Sequence, residues 1–322
     1  MAKLDVCVVG EMNLDIILYG LPTDLILDRE LLANRAALTL GSSSAICAHN
    51  LAALGTRVGF VSKIGKDPLG GMALERLSAG NVEVTQVKQS TTGTLTGLTV
   101  VLPGPRQRYI LTYPGTMFEM PYSDIDMSYV RSARHLHVSS FFLQRALRPR
   151  MLDLFRQAKE AGMSTSLDTN DDPEDKWEGD LLEVLKYVDI VLPNAREAKK
   201  MTHTDDLSKA VDMLAGLAKI VVVKSGSSAS ICRSGDQQWS LSPPSVQPVD
   251  DVGAGDSFDS GFLHMYLRGA ALEDCLALAN IAGAYSTTRE GGTGAFVDRG
   301  TMLGFFRQHW DAAGRGAFPI SG

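Results

Sequence analysis

Late in the chain, Asp250-Asp251-Val252-Gly253-Ala254-Gly255-Asp256-Ser257-Phe258 runs directly into Asp259-Ser260-Gly261-Phe262. Phe258, Gly261, Phe262 and Met265 recur at the i, i+3, i+4, i+7 spacing of a helix that lays one face on a sheet. Gly253, Ala254 and Gly255 then fall at the start of that helix, where backbone N–H groups lack intrahelical acceptors. Small residues there let an anion approach the bare amides, and the helix dipole adds to the attraction. Asp256 would stand on the first turn, facing whatever the amides hold. A carboxylate beside an anion hole suits removal of a proton from a hydroxyl as it attacks a phosphoryl group. The rival reading is a glycine-rich turn with Asp256 as an ordinary first-turn acid. These residues alone leave both open.

Such a site needs a scaffold. Leu4–Gly10 is a β-branched run ending in glycine and reads as a buried first strand, with a more exposed strand over 13–20. Helices over 43–54 and 68–79 flank a strand at 58–64 and stop at Gly55 and Gly80. Residues 92–113 read as a β-hairpin around Pro103-Gly104-Pro105. Beyond residue 125, strands at 134–140, 163–168, 187–192 and 219–224 alternate with helices near 147–161, 176–186, 195–202 and 206–217. That alternation implies right-handed crossovers and a mostly parallel sheet with helices on both faces. Ser230–Arg233 and Gln238–Leu241 read as a small antiparallel addition, followed by helices over 255–268, 272–288 and 300–311. The expectation is one α/β domain over 1–322, with a small β-sheet lid from segments about 13–38 and 90–117.

The segment Asp250–Phe258 resembles the second signature of the PfkB, or ribokinase-like, carbohydrate kinases. The resemblance extends over nearly the whole chain. Val8-Val9-Gly10-Glu11-Met12-Asn13-Leu14-Asp15 resembles the family's opening strand, whose Asn and Asp meet sugar hydroxyls; here these are Asn13 and Asp15. Gly41-Ser42-Ser43-Ser44-Ala45-Ile46 resembles the first signature, placing Gly41, Ser42 and Ser43 at the substrate. Pro193-Asn194-Ala195-Arg196-Glu197 resembles the N-x-x-E motif that organises water around Mg²⁺, although Asn194 and Glu197 also make a good helix-capping pair. Lys224-Ser225-Gly226 resembles the nucleotide-contacting turn, and Asn280 falls in the helix beside the adenine.

The resemblance thus implies a three-layer ribokinase-like fold and ATP-dependent phosphorylation of a sugar or sugar-like alcohol. Asp256 would be the base, and the amides of Gly253, Ala254, Gly255 and Asp256 the anion hole. Asp250 and Val252 would form half of a loop for a monovalent cation such as K⁺, with residues near Thr288–Gly292 as the other half. In the family the lid strands close the sugar site and often pair across a homodimer; Tyr109, Tyr113 and Met117 could line a lid core or that face.

The substrate side departs from the pattern. Ile46 stands where the first signature has an Asn that touches the sugar, and an apolar side chain cannot bond a hydroxyl. Asp168-Thr169-Asn170-Asp171-Asp172 resembles the D-x-N strand end of sugar-acid kinases, but Asp172 replaces their Arg and would repel an acid substrate. Asp168 and His137, at neighbouring strand ends, are further candidates to face substrate. A nucleoside kinase of the same fold is the alternative enzyme, and a catalytically silent sugar- or nucleotide-binding protein the alternative outside enzymes. The presence of Asp256 speaks against the silent form.

Composition bounds the rest. In 322 residues, 31 Lys and Arg stand against 37 Asp and Glu, a net charge of −6. That is the wrong field for a nucleic-acid partner. Cys7, Cys47, Cys232 and Cys275 are scattered through apolar stretches and read as buried thiols rather than a zinc or disulfide framework. No apolar run reaches the ~18 residues of a membrane span. The opening residues do not look like a secretion signal, so a cytoplasmic protein is expected. Gly10 is followed by Glu11-Met12-Asn13 rather than a dinucleotide fingerprint, and no P-loop sequence occurs. Gly255-Asp256-Ser257 as an esterase nucleophile turn would need a late Asp-x-x-His pair, and His309 has none.

Overall fold

In a computed structural model describing residues 4–22, 25–104 and 108–320, the apolar run after Lys3 forms an inner strand of a large sheet. Pro105 of the expected hairpin turn and the opening residues Met1–Lys3 lie outside the described residues. In chain order the strands are β1 (Leu4–Val9), β2 (Asn13–Tyr19), β3 (Arg35–Leu40), β4 (Val58–Ile64), β5 (Glu83–Gln89), β6 (Gly97–Pro103) and β7 (Arg108–Tyr113). They continue with β8 (Ala133–Ser139), β9 (Ser164–Asp168), β10 (Ile190–Val191), β11 (Ile220–Val223), β12 (Ser230–Ser234) and β13 (Gln237–Leu241).

Nine strands form a sheet in the order β13-β12-β11-β10-β9-β8-β1-β4-β5. It is parallel from β11 to β5 and antiparallel only where β12 and β13 are added. Side chains alternate between its faces. Val6 and Val8 enter a core closed by helices Ser43–Ala53, Pro68–Ala79, Ala254–Tyr266, Leu272–Ser286 and Arg299–Ala312. Cys7 and Val9 enter a second core closed by Met151–Glu160, Leu181–Leu185, Ala195–Met201 and Leu207–Ala215. The result is the expected three-layer arrangement, and all four cysteines are buried free thiols. Among the described residues no helix is long and apolar enough to cross a membrane.

A separate four-stranded sheet has the order β3-β2-β6-β7, with β2 and β6 parallel and the outer pairs antiparallel. Its inner strand β2 is more buried than its sequence suggests, because β3 and β6 cover both of its edges. β3 and β5 have no clear signal in the sequence. Both are edge strands, and Glu83-Val84-Thr85-Gln86-Val87-Lys88-Gln89 is too polar to announce itself. The helix expected over 176–186 shortens to Leu181–Leu185. Asp172 explains this, since its carboxylate accepts from the backbone N–H groups of Glu174, Lys176 and Trp177 and folds them into a turn.

Candidate active site

Helix Ala254–Tyr266 starts where the sequence pattern places it, capped by Gly253 in the left-handed region at φ 71°. A Cβ on Gly253 would lie 2.4 Å from Gly292 Cα, so both the φ and the space require glycine. Ile46 packs beneath this turn, 3.2 Å from that same position, and is 2% exposed. It therefore shapes the glycine turn from below, consistent with an apolar residue in place of the family's sugar-touching Asn.

Asp256 follows on the first helical turn and is buried. Burial, reinforced by the charge of Asp168, pushes its carboxyl up to about 7, against the opposing pull of Lys224 and a hydrogen bond from Ser43. A carboxyl poised near neutrality is well matched to general-base work.

Opposite it, Asn13, Asp15 and Gly41 come together. A Cβ on Gly41 would fall 2.0 Å from Asp15 Oδ1 and 3.0 Å from Asn13 Oδ1, so bare backbone is what admits these two side chains. Asn13 Nδ2 donates to Thr99 Oγ1 at 2.9 Å and to Asp15 Oδ1 at 3.3 Å, while its Oδ1 is buried without a partner among the described residues. Burial pushes Asp15 up to about 7; the Asn13 hydrogen bond opposes this, and the charges of Asp256 and Asp250 add to it. Ser42, at φ 70°, caps helix Ser43–Ala53 and donates to the Glu11 carbonyl, which occupies its hydroxyl with structure.

Glu11 escaped the sequence reading. Its carboxylate accepts from Ser44 Oγ at 2.7 Å, Ser140 Oγ at 2.8 Å and Gln144 Nε2 at 2.9 Å, tying three segments together at the end of β1. The only signal was an acid just beyond the end of an apolar strand.

Behind the glycine turn lies a buried ionic cluster. Lys224 Nζ donates to Asp168 Oδ2 at 2.7 Å and to Asp259 Oδ2 at 3.0 Å, and a Cβ on Gly255 would sit 3.7 Å from it. Burial alone would raise Asp168, but the Lys224 charge and a hydrogen bond from Asp259 hold it below the usual range. Burial keeps Asp259 well above its usual value, so Asp259 retains the shared proton. Asp259 was also missed, although its place three residues beyond Asp256 puts both on one helical face.

Asn194, Lys224, Ser225 and Gly226 line one cavity of about 450 Å³, as the nucleotide reading requires. Asn194 and Glu197 form a complete capping box, with Glu197 N donating to Asn194 Oδ1 at 2.9 Å and Asn194 N to Glu197 Oε2 at 2.8 Å. Burial and the nearby Asp168 charge push Glu197 up to about 7. Asp250 accepts from Val252 N at 2.9 Å, Gly291 N at 3.0 Å and the Tyr19 hydroxyl at 2.6 Å, bringing the 250–252 segment against the 291 turn.

Four expectations need correction. Asp168, read with His137 as facing substrate, is fully buried, with one carboxylate oxygen on Lys224 Nζ and the other accepting from Asn170 N. His137 is fully buried, with Nδ1 on Ser166 and Nε2 on Ser139, so neither ring nitrogen is turned to a ligand. Asn280 uses its Oδ1 on Ser230 Oγ and its Nδ2 on the Leu241 carbonyl, binding its helix to β12 and β13 instead of standing free beside an adenine. Asp172 is a loop cap, so its charge supplies no argument against an acidic substrate.

A parallel α/β sheet with an amide-rich helix start and a buried carboxylate on its first turn is the architecture of a phosphotransferase. The family model described as pfkB family carbohydrate kinase matches residues 3–298, and the chain belongs to that family. It is a carbohydrate kinase, an enzyme that transfers a phosphoryl group to an alcohol. The chain is 29% identical over 234 residues to an uncharacterized sugar kinase of Archaeoglobus fulgidus, covering 73% of this chain and 92% of that protein. It is 27% identical over 255 residues to an ATP-dependent ribose-1-phosphate kinase of Halopiger xanaduensis, covering 79% of this chain and 82% of that protein. The ribokinase of Arabidopsis thaliana, solved with ribose and ATP, superposes with a TM-score of 0.80 at 25% identity, over 95% of this chain and 99% of that one.

Proposed function

We propose that the protein transfers the γ-phosphoryl group of ATP to a hydroxyl of a sugar or sugar-like substrate, with Asp256 taking the proton. The observation that carries this reading is a buried carboxyl held near neutrality, on the first helical turn after a left-handed glycine and close enough to Asp15 for its charge to act there. Asn13 and Asp15 orient the acceptor hydroxyls over Gly41. The amides of Gly253, Ala254, Gly255 and Asp256 receive the charge that develops on the transferring group. The Lys224 ammonium lies behind Gly255 and reinforces that hole from within the protein.

ATP would occupy the cavity of Asn194, Lys224, Ser225 and Gly226. Arg196 and Lys224 are among the residues lining it, and Asp168, Asp256 and Glu197 lie within reach of the charge of the buried Lys224. Such oxygen donors suit Mg²⁺, a hard cation that keeps its waters, and Glu197 would hold it through one of them. When bound, the ion supplies neutralisation of phosphate charge. The contact of Asp250 with Gly291 supports 250–252 and 288–292 as one loop for a monovalent cation such as K⁺. Asn194 and Glu197 serve as helix cap and site residues at once. The smaller sheet acts as a lid, with Arg108 of β7 paired to Asp251 and Tyr19 of β2 bonded to Asp250.

Replacing Asp256 with Asn tests the assignment. We expect turnover to fall at least about 100-fold, with the fold and nucleotide binding kept. Turnover within tenfold of wild type would remove Asp256 as the base.

A further inference from the structure

Arg196 lines the cavity of Asn194, Lys224, Ser225 and Gly226, with a side chain 55% exposed. None of the described residues lining that cavity is acidic. The Lys224 ammonium is held inside the protein by Asp168 and Asp259, so Arg196 is the cation there that can still reach out to a ligand. Its present partners lie on the loop that follows β9. Nη1 donates to Asp171 Oδ1 at 2.5 Å and Nη2 to Asp175 Oδ1 at 3.4 Å, with the guanidinium 5.9 Å from the centre of the Trp177 ring. All three charged side chains are more than half exposed, so each pair is weak on its own. A guanidinium has further N–H donors, in a planar fork that matches phosphate oxygens.

The loop itself is strained. Asn170, Asp175 and Trp177 have φ of 51°, 48° and 55°, and for a bulky tryptophan the left-handed region is a true outlier. Such backbone persists only where its surroundings hold it. The Asp172 carboxylate holds the middle of the loop, and Arg196 holds Asp171 and Asp175. At the other end Asn170 Oδ1 accepts from Ser140 N at 2.9 Å, and Ser140 Oγ reaches Glu11 at 2.8 Å. Glu11 in turn accepts from Ser44 Oγ, beside the Gly41–Ser43 turn. One loop therefore joins Arg196, at the nucleotide cavity, to the acceptor side.

We propose that Arg196 is a nucleotide-sensing residue: its guanidinium binds a nucleotide polyphosphate while keeping Asp171, and so fixes the 170–177 loop with Asn170 against Ser140. This rests on the nucleotide reading of the cavity above. By linkage, whatever the nucleotide gains from an ordered loop the acceptor side gains equally.

The test is calorimetric titration of the full chain with a non-hydrolysable ATP analogue and Mg²⁺, joined to hydrogen exchange. We expect Arg196→Ala and Arg196→Gln each to weaken the analogue at least tenfold, with melting temperatures in the absence of nucleotide within a few degrees of wild type. Arg196→Lys, which keeps the charge, should bind more tightly than Arg196→Gln. The Ser140 amide donates to Asn170, so its exchange reads the far end of the loop directly. Saturation with the analogue should slow exchange at Ser140 and across 170–177 in wild type. Asp171→Asn should bind the analogue within about threefold of wild type without that slowing. Unchanged affinity in Arg196→Ala and Arg196→Gln overturns the binding role. Unchanged exchange in saturated wild type, or slowing that survives in Asp171→Asn, overturns the relay. A wild-type chain that binds no analogue would overturn the nucleotide reading itself, and is told apart from a failure of Arg196 because wild type and variants would then be silent alike.

Discussion

Asp256 holds its proton far more tightly in the folded protein than in an unfolded chain, where its ordinary value is 3.8; burial moves it to about 7. A folded state that binds a proton more strongly loses stability as pH rises between those two values. A shift of this size corresponds to roughly 4 kcal/mol as an upper bound, stability that the proposed base would give up to work near neutrality. Asp15 and Glu197, also raised to about 7, carry costs of the same sign. Asp256→Asn should therefore melt several degrees higher than wild type at about pH 8, and the gap should narrow toward about pH 5 as wild type takes up its proton. Over the same range, wild-type kcat should rise through about pH 7 as Asp256 ionises. An inactive variant no more stable than wild type at the higher pH would mean that the site carries no such strain. Asp256 was legible in the sequence because glycine and helical spacing are local signals. The partners of His137, Asn280 and Asp172 were not, because each is chosen by strands or loops distant in the chain or by a turn that only the folded backbone defines.

At the scale of elements, helix Ala254–Tyr266 can serve the proposed reaction only if its first turn stays open to a ligand, and Gly253 is what keeps it so. Its φ of 71° disfavours any side chain, and a Cβ would collide with Gly292 Cα at 2.4 Å, a backbone atom that cannot swing aside. Gly226 offers a control, with φ 58° and nothing within 4 Å of its would-be Cβ. Gly226→Ala should cost about 1 kcal/mol, from backbone strain alone. Gly253→Ala should cost about 2–3 kcal/mol and also depress kcat, because the turn must shift away from Gly292. Equal melting losses in the two variants would show that the contact with Gly292 does not matter. Here too the sequence was informative within limits. The helix start and the βα rhythm were visible because apolar periodicity marks buried elements. The edge strands β3 and β5 were not, since half-exposed strands mix polar and apolar residues without a clear period.

At the scale of the whole molecule, the smaller sheet has two unlike faces. Register places Asp15, Thr99 and Thr112 in one row across β2, β6 and β7, on the side of the site. The next row, Leu38, Ile16, Val100 and Leu111, faces the other way, and Tyr109 and Tyr113 of β7 share that face. Tyr109, Leu111 and Tyr113 are each more than half exposed, along a strand that forms the open edge of the sheet. Met117, read with them as lid core or dimer face, is buried beside Gly97, as a core residue is. An apolar face on an unprotected edge favours a second copy of the chain, and we propose it as the surface of the homodimer that the family resemblance implies. Each copy carries a net charge of −6, so two copies repel at long range while their apolar faces attract. Added salt screens the first effect and leaves the second, so dimerisation followed by sedimentation should tighten from low to moderate ionic strength. A double replacement of Tyr109 and Leu111 by Lys adds charge to the face and should leave monomers that still bind nucleotide. A wild-type chain that sediments as a monomer at every salt concentration would remove this face as a dimer contact.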